Sequence, residues 1–299
     1  MWGAGDQIHS RAVLRELMKT HEVWLESMAF APFHDLAEQG LKISRITGHA
    51  PRIRETTWFK ETPLPRGASG TRMTYDRTMI HRHGSILAAQ FACVGLKMPE
   101  RPDFSLPVPE MWRARAQRLI GRWPTGGKPL LIYRPIVLNT VWNCPARSPD
   151  PIAYAKLFST IRDRFFVVSL ANLAEGKEWI VGPEQDVDVK LHHDELDFET
   201  MAGLYAEADL VFASPGNATV FAQAVGTPSI TVFGGHESFR TTNSVGAHLA
   251  PTLAIEPVTP CECHDRNHAC DKRIEMEPAI ARIEAFVPSV LSKEVACAS

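Results

Sequence analysis

No apolar run in this 299-residue chain approaches the roughly 18–20 residues needed to span a bilayer, and no basic-then-apolar leader opens it. The reading from those two absences is a soluble, cytoplasmic protein, with any membrane contact peripheral and at the inner face. Cysteine is scarce too. Six residues, at 93, 144, 261, 263, 270 and 297, do not make a disulfide scaffold in a chain long enough to build cores without staples. Internal repeats and low-complexity tracts are absent, which removes the solenoid architectures. What remains is a composition of 44% hydrophobic and 22% charged residues, enough for one large domain or two of ordinary size.

The net charge of −2 conceals an asymmetry. Residues 1–125 carry 18 Lys and Arg against 12 Asp and Glu, and residues 126–299 carry 14 against 22. Fourteen of the 18 N-terminal cations are Arg, whose planar fork suits phosphate. An anionic partner and an unevenly charged solvated face both fit that balance.

The turn-rich segment Arg122-Trp-Pro-Thr-Gly-Gly-Lys128 divides the chain into candidate domains 1–125 and 126–299. Beyond it, apolar strands at Pro129–Val137, Phe165–Leu170, Val187–His192, Asp209–Ala213 and Ser229–Gly234 alternate with helices at Pro151–Arg164, after Asp197, and around Thr219–Val225. A βαβα rhythm of this kind builds a parallel, doubly wound sheet. The first half reads similarly, with a helix over Asp6–Thr20, strands at Glu22–Leu25 and Leu41–Ile46, and a helix at Phe33–Glu38. An irregular stretch covers residues 49–70, and helices are expected over His81–Val94 and Met111–Leu119. Gly3-Ala-Gly-Asp6 looks like the turn after a first strand, yet almost nothing precedes it, so that strand is either missing or a stub.

Three places gather chemistry. Gly5 and Asp6 open a helix, where an aspartate is an N-cap or a base. In residues 209–235 (DLVFASPGNATVFAQAVGTPSITVFGG) a strand runs into a small loop, Ser214 to Thr219, and then a helix. The first amides of that helix can bind a diphosphate, and Gly234, Gly235 and His236 end the next strand at the same sheet edge. Cys261, Cys263 and Cys270 lie within ten residues, and a fourth ligand would come from His264, His268 or elsewhere. They can chelate Zn or Fe, and they also read as free thiols in a cytosolic loop. The His81/His83 and His192/His193 pairs read as surface or cleft residues.

The Gly-Asp-x-Ile-His-Ser segment at 5–10, together with Ala224, Gly226, Pro228 and Phe233-Gly234, resembles glycosyltransferase family 9, the lipopolysaccharide heptosyltransferases. The resemblance implies the GT-B fold, two Rossmann-like domains facing across a cleft, and inverting, metal-independent transfer from a nucleotide-sugar. It implies Asp6 as catalytic base. On the donor side it implies Gly5, Ser214, Gly216, Asn217, Ala218, Thr219, Gly234, Gly235 and His236, with Arg134 or Arg147 meeting phosphate and Glu178 the ribose. Trp142 and Pro151 echo a family segment loosely. The sequence departs at the head of the second motif. There Pro215, Gly216, Asn217 and Val220 stand where the family has aspartate, threonine, glycine and histidine, which points to another nucleotide-sugar or to lost activity. Some members carry a cysteine finger, in some cases iron-binding, at a similar place. Arg45, Arg52, Arg54, Arg66 and Arg72 are the candidate contacts to an anionic acceptor, a glycolipid or hydroxymethylated DNA. A non-catalytic binder on the same scaffold is the third reading.

Overall fold

The computed structural model describes residues 4–46, 53–56, 59–68, 70–140 and 143–292. Arg52, Trp142 and Cys297 lie outside them. The first half opens with helix α1 (Ala4–Met18), strand β1 (Trp24–Ser27), a 3-10 turn leading into α2 (His34–Glu38), and β2 (Lys42–Arg45). β1 and β2 pair in parallel, the smaller of the two parallel sheets. The expected helix over 81–94 is instead two, α3 (Arg77–His83) and α4 (Ile86–Cys93). Gly84 adopts φ 87° and stops the first, and Ser85 restarts the second by accepting from the Ala88 amide at 3.1 Å. α5 (Glu110–Ile120) follows.

In the second half, Leu130–Tyr133 forms β3 and Val137–Asn139 a separate short β4. Then come α6 (Pro151–Ser159), β5 (Phe166–Leu170), β6 (Glu178–Ile180), β7 (Val189–Leu191) and α7 (Phe198–Glu207). β8 (Leu210–Ala213), α8 (Asn217–Val225), β9 (Ser229–Val232), β10 (Thr252–Ile255) and α9 (Met276–Leu291) complete the order. Six strands make one parallel sheet in the order β10-β9-β8-β3-β5-β7. β4 and β6 pair antiparallel outside it.

The central strands are apolar on both faces because helices cover both. Ile132, Val168 and Val211 point into a core shared with Ile8 and Val13 of α1, Phe91 of α4, Trp112 of α5 and Phe221 of α8. Leu131, Val167, Phe212 and Ile230 point the other way, onto Leu157 of α6 and Ile283 of α9. A third cluster, including Leu14, Phe33 and Ile43, packs the small sheet. The first core therefore contains side chains from both halves of the chain.

Within the first half, the buried Arg11 donates to Asp35 at 2.8 Å and to the Ser105 carbonyl at 2.9 Å, tying α1 to α2 and to the 102–108 segment. α5 lies on α7 where Gly203 leaves no room for a side chain: a Cβ there would overlap the Trp112 carbonyl oxygen. Gly203→Ala is expected to cost about 3 kcal/mol by overpacking. That corresponds to a fall in Tm of roughly 6 °C at about 2 °C per kcal/mol, measured by circular dichroism. A variant melting within a degree of the parent would show that the two helices separate freely.

Candidate active site

The first turn of α1 meets the first turn of α8. A Cβ on Gly5 would lie 3.3 Å from the Asn217 Cα, so the close approach of the two backbones depends on glycine. Gly216, with φ 147°, turns the chain from β8 into α8, and no side chain caps that helix. Its leading amides therefore keep their capacity to bind an anion. The Arg147 guanidinium sits against this turn, 3.7–3.8 Å from where a Gly216 Cβ would stand.

Arg147 is fixed from behind by Glu237, whose Oε1 lies 2.9 Å from Nε. Burial works against the Arg147 charge, but Glu237 together with Tyr75 and Asp6 outweighs it and holds the guanidinium above its ordinary pKa. Asp6, in the first turn of α1, accepts a hydrogen bond from the Tyr75 hydroxyl at 2.9 Å. Burial first, and then the Asp6 carboxylate, hold the Tyr75 phenol well above its usual pKa, so it stays a donor. The Asp6–Tyr75 pair and the Arg147–Glu237 pair lie close enough for each to shift the other's charge.

The Gly-Gly-His loop after β9 completes the wall. A Cβ on Gly234 would overlap the Ser148 carbonyl, so glycine seats the turn that carries Arg147. The Gly235 carbonyl accepts from the amides of Cys261 and Glu262, and the His236 carbonyl from that of His264. The structure thus gathers Gly5, Asp6, Arg147, Gly216, Asn217, Gly234, Gly235 and His236 in one region.

Other expected residues sit differently. Ser214 is half-buried, while Ala218 and Thr219 are buried. Thr219 donates to the Gly216 carbonyl at 3.0 Å and accepts from Asn243 at 3.2 Å. Arg134, at the end of β3, is half-buried and donates to the Leu170 carbonyl at 2.9 Å, and desolvation lowers its pKa. It lies in a second group with Glu178 and His192. His192 is not a surface residue: it is buried and 2.8 Å from the Ser169 hydroxyl. Arg45 pairs with Glu55 and covers the Phe30 ring, and Arg54 pairs with Asp194 at 2.8 Å. Arg66 and Arg72 are exposed.

Tyr75 and Glu237 are the side chains of this candidate site that sequence reasoning missed. Tyr75 lies in an irregular segment with no periodic signal. Glu237 did carry one, a charge directly after a Gly-Gly-His loop at a sheet edge.

At the cysteine cluster, His268 is the histidine that joins the thiols: Cys261, Cys263, His268 and Cys270 place one donor atom each within 4.8 Å of all the others and could hold a metal ion. The Cys263–Cys270 sulfurs are 3.5 Å apart, and His268 Nδ1 lies 3.5 and 3.4 Å from Cys261 and Cys270. Tetrahedral thiolate sites with ~2.3 Å metal–sulfur bonds have sulfurs ~3.8 Å apart, so this donor set fits Zn or Fe. Burial and the neighbouring Cys263 push the Cys270 thiol up to about 12, a barrier to ionisation that a bound cation removes. Protein purified without affinity-tag metal is expected to hold at least about one equivalent of Zn or Fe, with one lost in a Cys261→Ser, Cys270→Ser double variant. Elemental analysis giving below about 0.2 equivalents after anaerobic reconstitution would leave four free ligands instead.

Pocket-lining residues near this loop are Ile80, His81, Arg240, Thr241, Cys261 and Glu262, around a cavity of about 220 Å³. Among the described residues no helix is long and apolar enough to cross a membrane.

No family model and no curated protein matches the sequence. Solved structures do match. The iron-containing dodecameric glycosyltransferase TibC from enterotoxigenic E. coli aligns over 100% of this chain and 75% of its own, at 11% identity and a TM-score of 0.53. The E. coli ADP-heptose lipopolysaccharide heptosyltransferase II aligns over 97% and 82%, at 13% and 0.48. A family 9 glycosyl transferase from Veillonella parvula aligns over 95% and 78%, at 11% and 0.46. With TibC this chain shares its fold along its whole length, the α/β architecture of the GT-B glycosyltransferases.

Proposed function

We propose that the protein is an inverting glycosyltransferase that moves a sugar from a nucleotide-sugar donor to an acceptor hydroxyl, in the manner of the heptosyltransferases. The observation that carries this reading is the meeting of two helix starts, one bearing Asp6 and the other an uncapped amide cradle with Arg147 against it.

In the transfer, Asp6 takes the acceptor hydroxyl proton as the oxygen attacks the anomeric carbon. Tyr75, held as a donor, fixes which carboxylate oxygen is presented. The negative charge that develops on the departing diphosphate meets the α8 amides and Arg147, which are already oriented and need no reorganisation. No metal is needed in these steps. Cys261, Cys263, His268 and Cys270 would hold a Zn or Fe ion that pins the 261–270 segment against Gly235 and His236.

The donor belongs to residues 126–299 and the acceptor to residues 1–125. Of the acceptor classes we take a phosphorylated glycolipid over hydroxymethylated DNA, because with Arg45 and Arg54 paired to Glu55 and Asp194 fewer cations are left for the many phosphates of a duplex than for the few of a glycolipid. The altered loop at Pro215–Val220 supports a donor pocket specified for a sugar other than ADP-heptose.

A thermal-shift panel of nucleotide-sugars tests the reading. A true donor at a hundred times its Kd stabilises the fold by about 2.7 kcal/mol, and the matching free sugar does not. If no nucleotide-sugar shifts the melting point of metal-loaded protein, the glycosyltransferase reading fails.

A further inference from the structure

Beside the thiolate cluster lies a group of side chains that neither the fold nor the transfer chemistry explains. His236 and Glu237 are 5% and 4% exposed, buried at the end of the Gly-Gly-His loop, and His264 reaches them from the cysteine segment. One donor atom from each lies within 4.8 Å of the other two. Each also has a buried polar atom with no hydrogen-bond partner: His236 Nδ1, Glu237 Oε2 and His264 Nε2. A buried polar atom left unsatisfied costs about 1–3 kcal/mol, and three in one place is a large cost with no structural return.

We propose that His236, Glu237 and His264 form a second cation site, distinct from the thiolate cluster, that takes a borderline divalent transition-metal ion, Fe(II) or Zn. Two imidazole nitrogens and one carboxylate are a recurring donor set for both ions, and they leave at least one position open for a water or phosphate oxygen.

The local chemistry fits a cation better than the rival arrangements. The His236 Nδ1 to Glu237 Oε1 distance of 3.8 Å is too long for a hydrogen bond. Donors bonded to one ion at ~2.1 Å stand ~3.0–3.4 Å apart, so donors that now lie within 4.8 Å of one another close on a cation by side-chain movement alone. Glu237 Oε1 already faces Arg147, which leaves Oε2 to coordinate. The loop is also held in an uncommon backbone: Glu262 and His264 take φ of 51° and 49°, and turn His264 inward between two thiolate-cluster ligands.

Cobalt(II) titration of anaerobically prepared, metal-free full-length protein separates the two sites. The expected result is two bound equivalents, one with thiolate-to-cobalt charge-transfer absorption and one without it. Cys261→Ser with Cys270→Ser removes the charge-transfer band. His236→Gln and Glu237→Gln each remove the second equivalent and keep the band. Should His236→Gln fail to fold, His264→Gln tests the same donor set from the more exposed segment. Saturation at one equivalent, or two equivalents that survive Glu237→Gln and His264→Gln together, would overturn the proposal.

Discussion

Asp6→Asn is expected to lower turnover by at least about a hundredfold while leaving donor-induced thermal stabilisation unchanged. Removing a general base costs about 10²–10⁴ in rate. The substitution is nearly isosteric, and an Asn carbonyl oxygen still accepts the Tyr75 hydroxyl hydrogen bond that Asp6 Oδ1 accepts at 2.9 Å. α1 therefore keeps its place against α8, and the amide cradle and Arg147 that meet the diphosphate are untouched. Tyr75→Phe serves as the graded control. It leaves the base present but unoriented, so its loss of rate should be smaller than that of Asp6→Asn. Initial rates with the donor found by thermal shift, with donor binding measured on the same variants, separate the two roles. An Asp6→Asn enzyme turning over within a few-fold of the parent would reduce Asp6 to an acidic group in the first turn of a helix.

The C-terminal sheet was legible because its strands are unbroken apolar runs, such as Leu-Leu-Ile-Tyr at 130–133 and Phe-Val-Val at 166–168, buried on both faces. Asp197 announced its helix as a cap and accepts from the Thr200 amide, and Pro151 marked the start of α6. Where competing local signals met, the reading failed. One helix was expected from 81 to 94, yet Gly84 and Ser85 divide the segment into two. The run from 129 to 137 looks like one strand, but only its first part joins the parallel sheet, and its last residue, Val137, begins a separate strand that pairs antiparallel with Glu178–Ile180. At the site, residues adjacent in sequence were visible: Gly5 with Asp6, and Gly234 through His236. Residues joined only by folding were not. Tyr75 and Glu237 reach Asp6 and Arg147 from segments far along the chain, and no spacing rule connects them. The choice between His264 and His268 as the fourth ligand was also beyond the sequence, since both are near Cys263 and only the turn of the loop decides which way each points.

Arg147→Met should separate the two tasks of the Arg147–Glu237 pair. Glu237 is 5% exposed at its side chain and Arg147 27%, so the variant leaves a buried carboxylate without the cation beside it. Breaking a buried pair from one side costs about 3–5 kcal/mol, and the partial exposure of Arg147 places this case near about 3. The Arg147→Met, Glu237→Gln double variant removes the charge as well, and most of the lost stability should return. Donor affinity should not return, because the guanidinium that stands against Gly216 at the start of α8 is still missing. A charged contact to a phosphate contributes about 1.5–3 kcal/mol, which is roughly a 10- to 150-fold rise in donor Kd for both variants. Chemical denaturation for stability and calorimetric titration for donor binding give the two numbers independently. If the double variant recovered stability and donor affinity together, Arg147 would be only the structural partner of Glu237, and the diphosphate would be held by the helix amides alone.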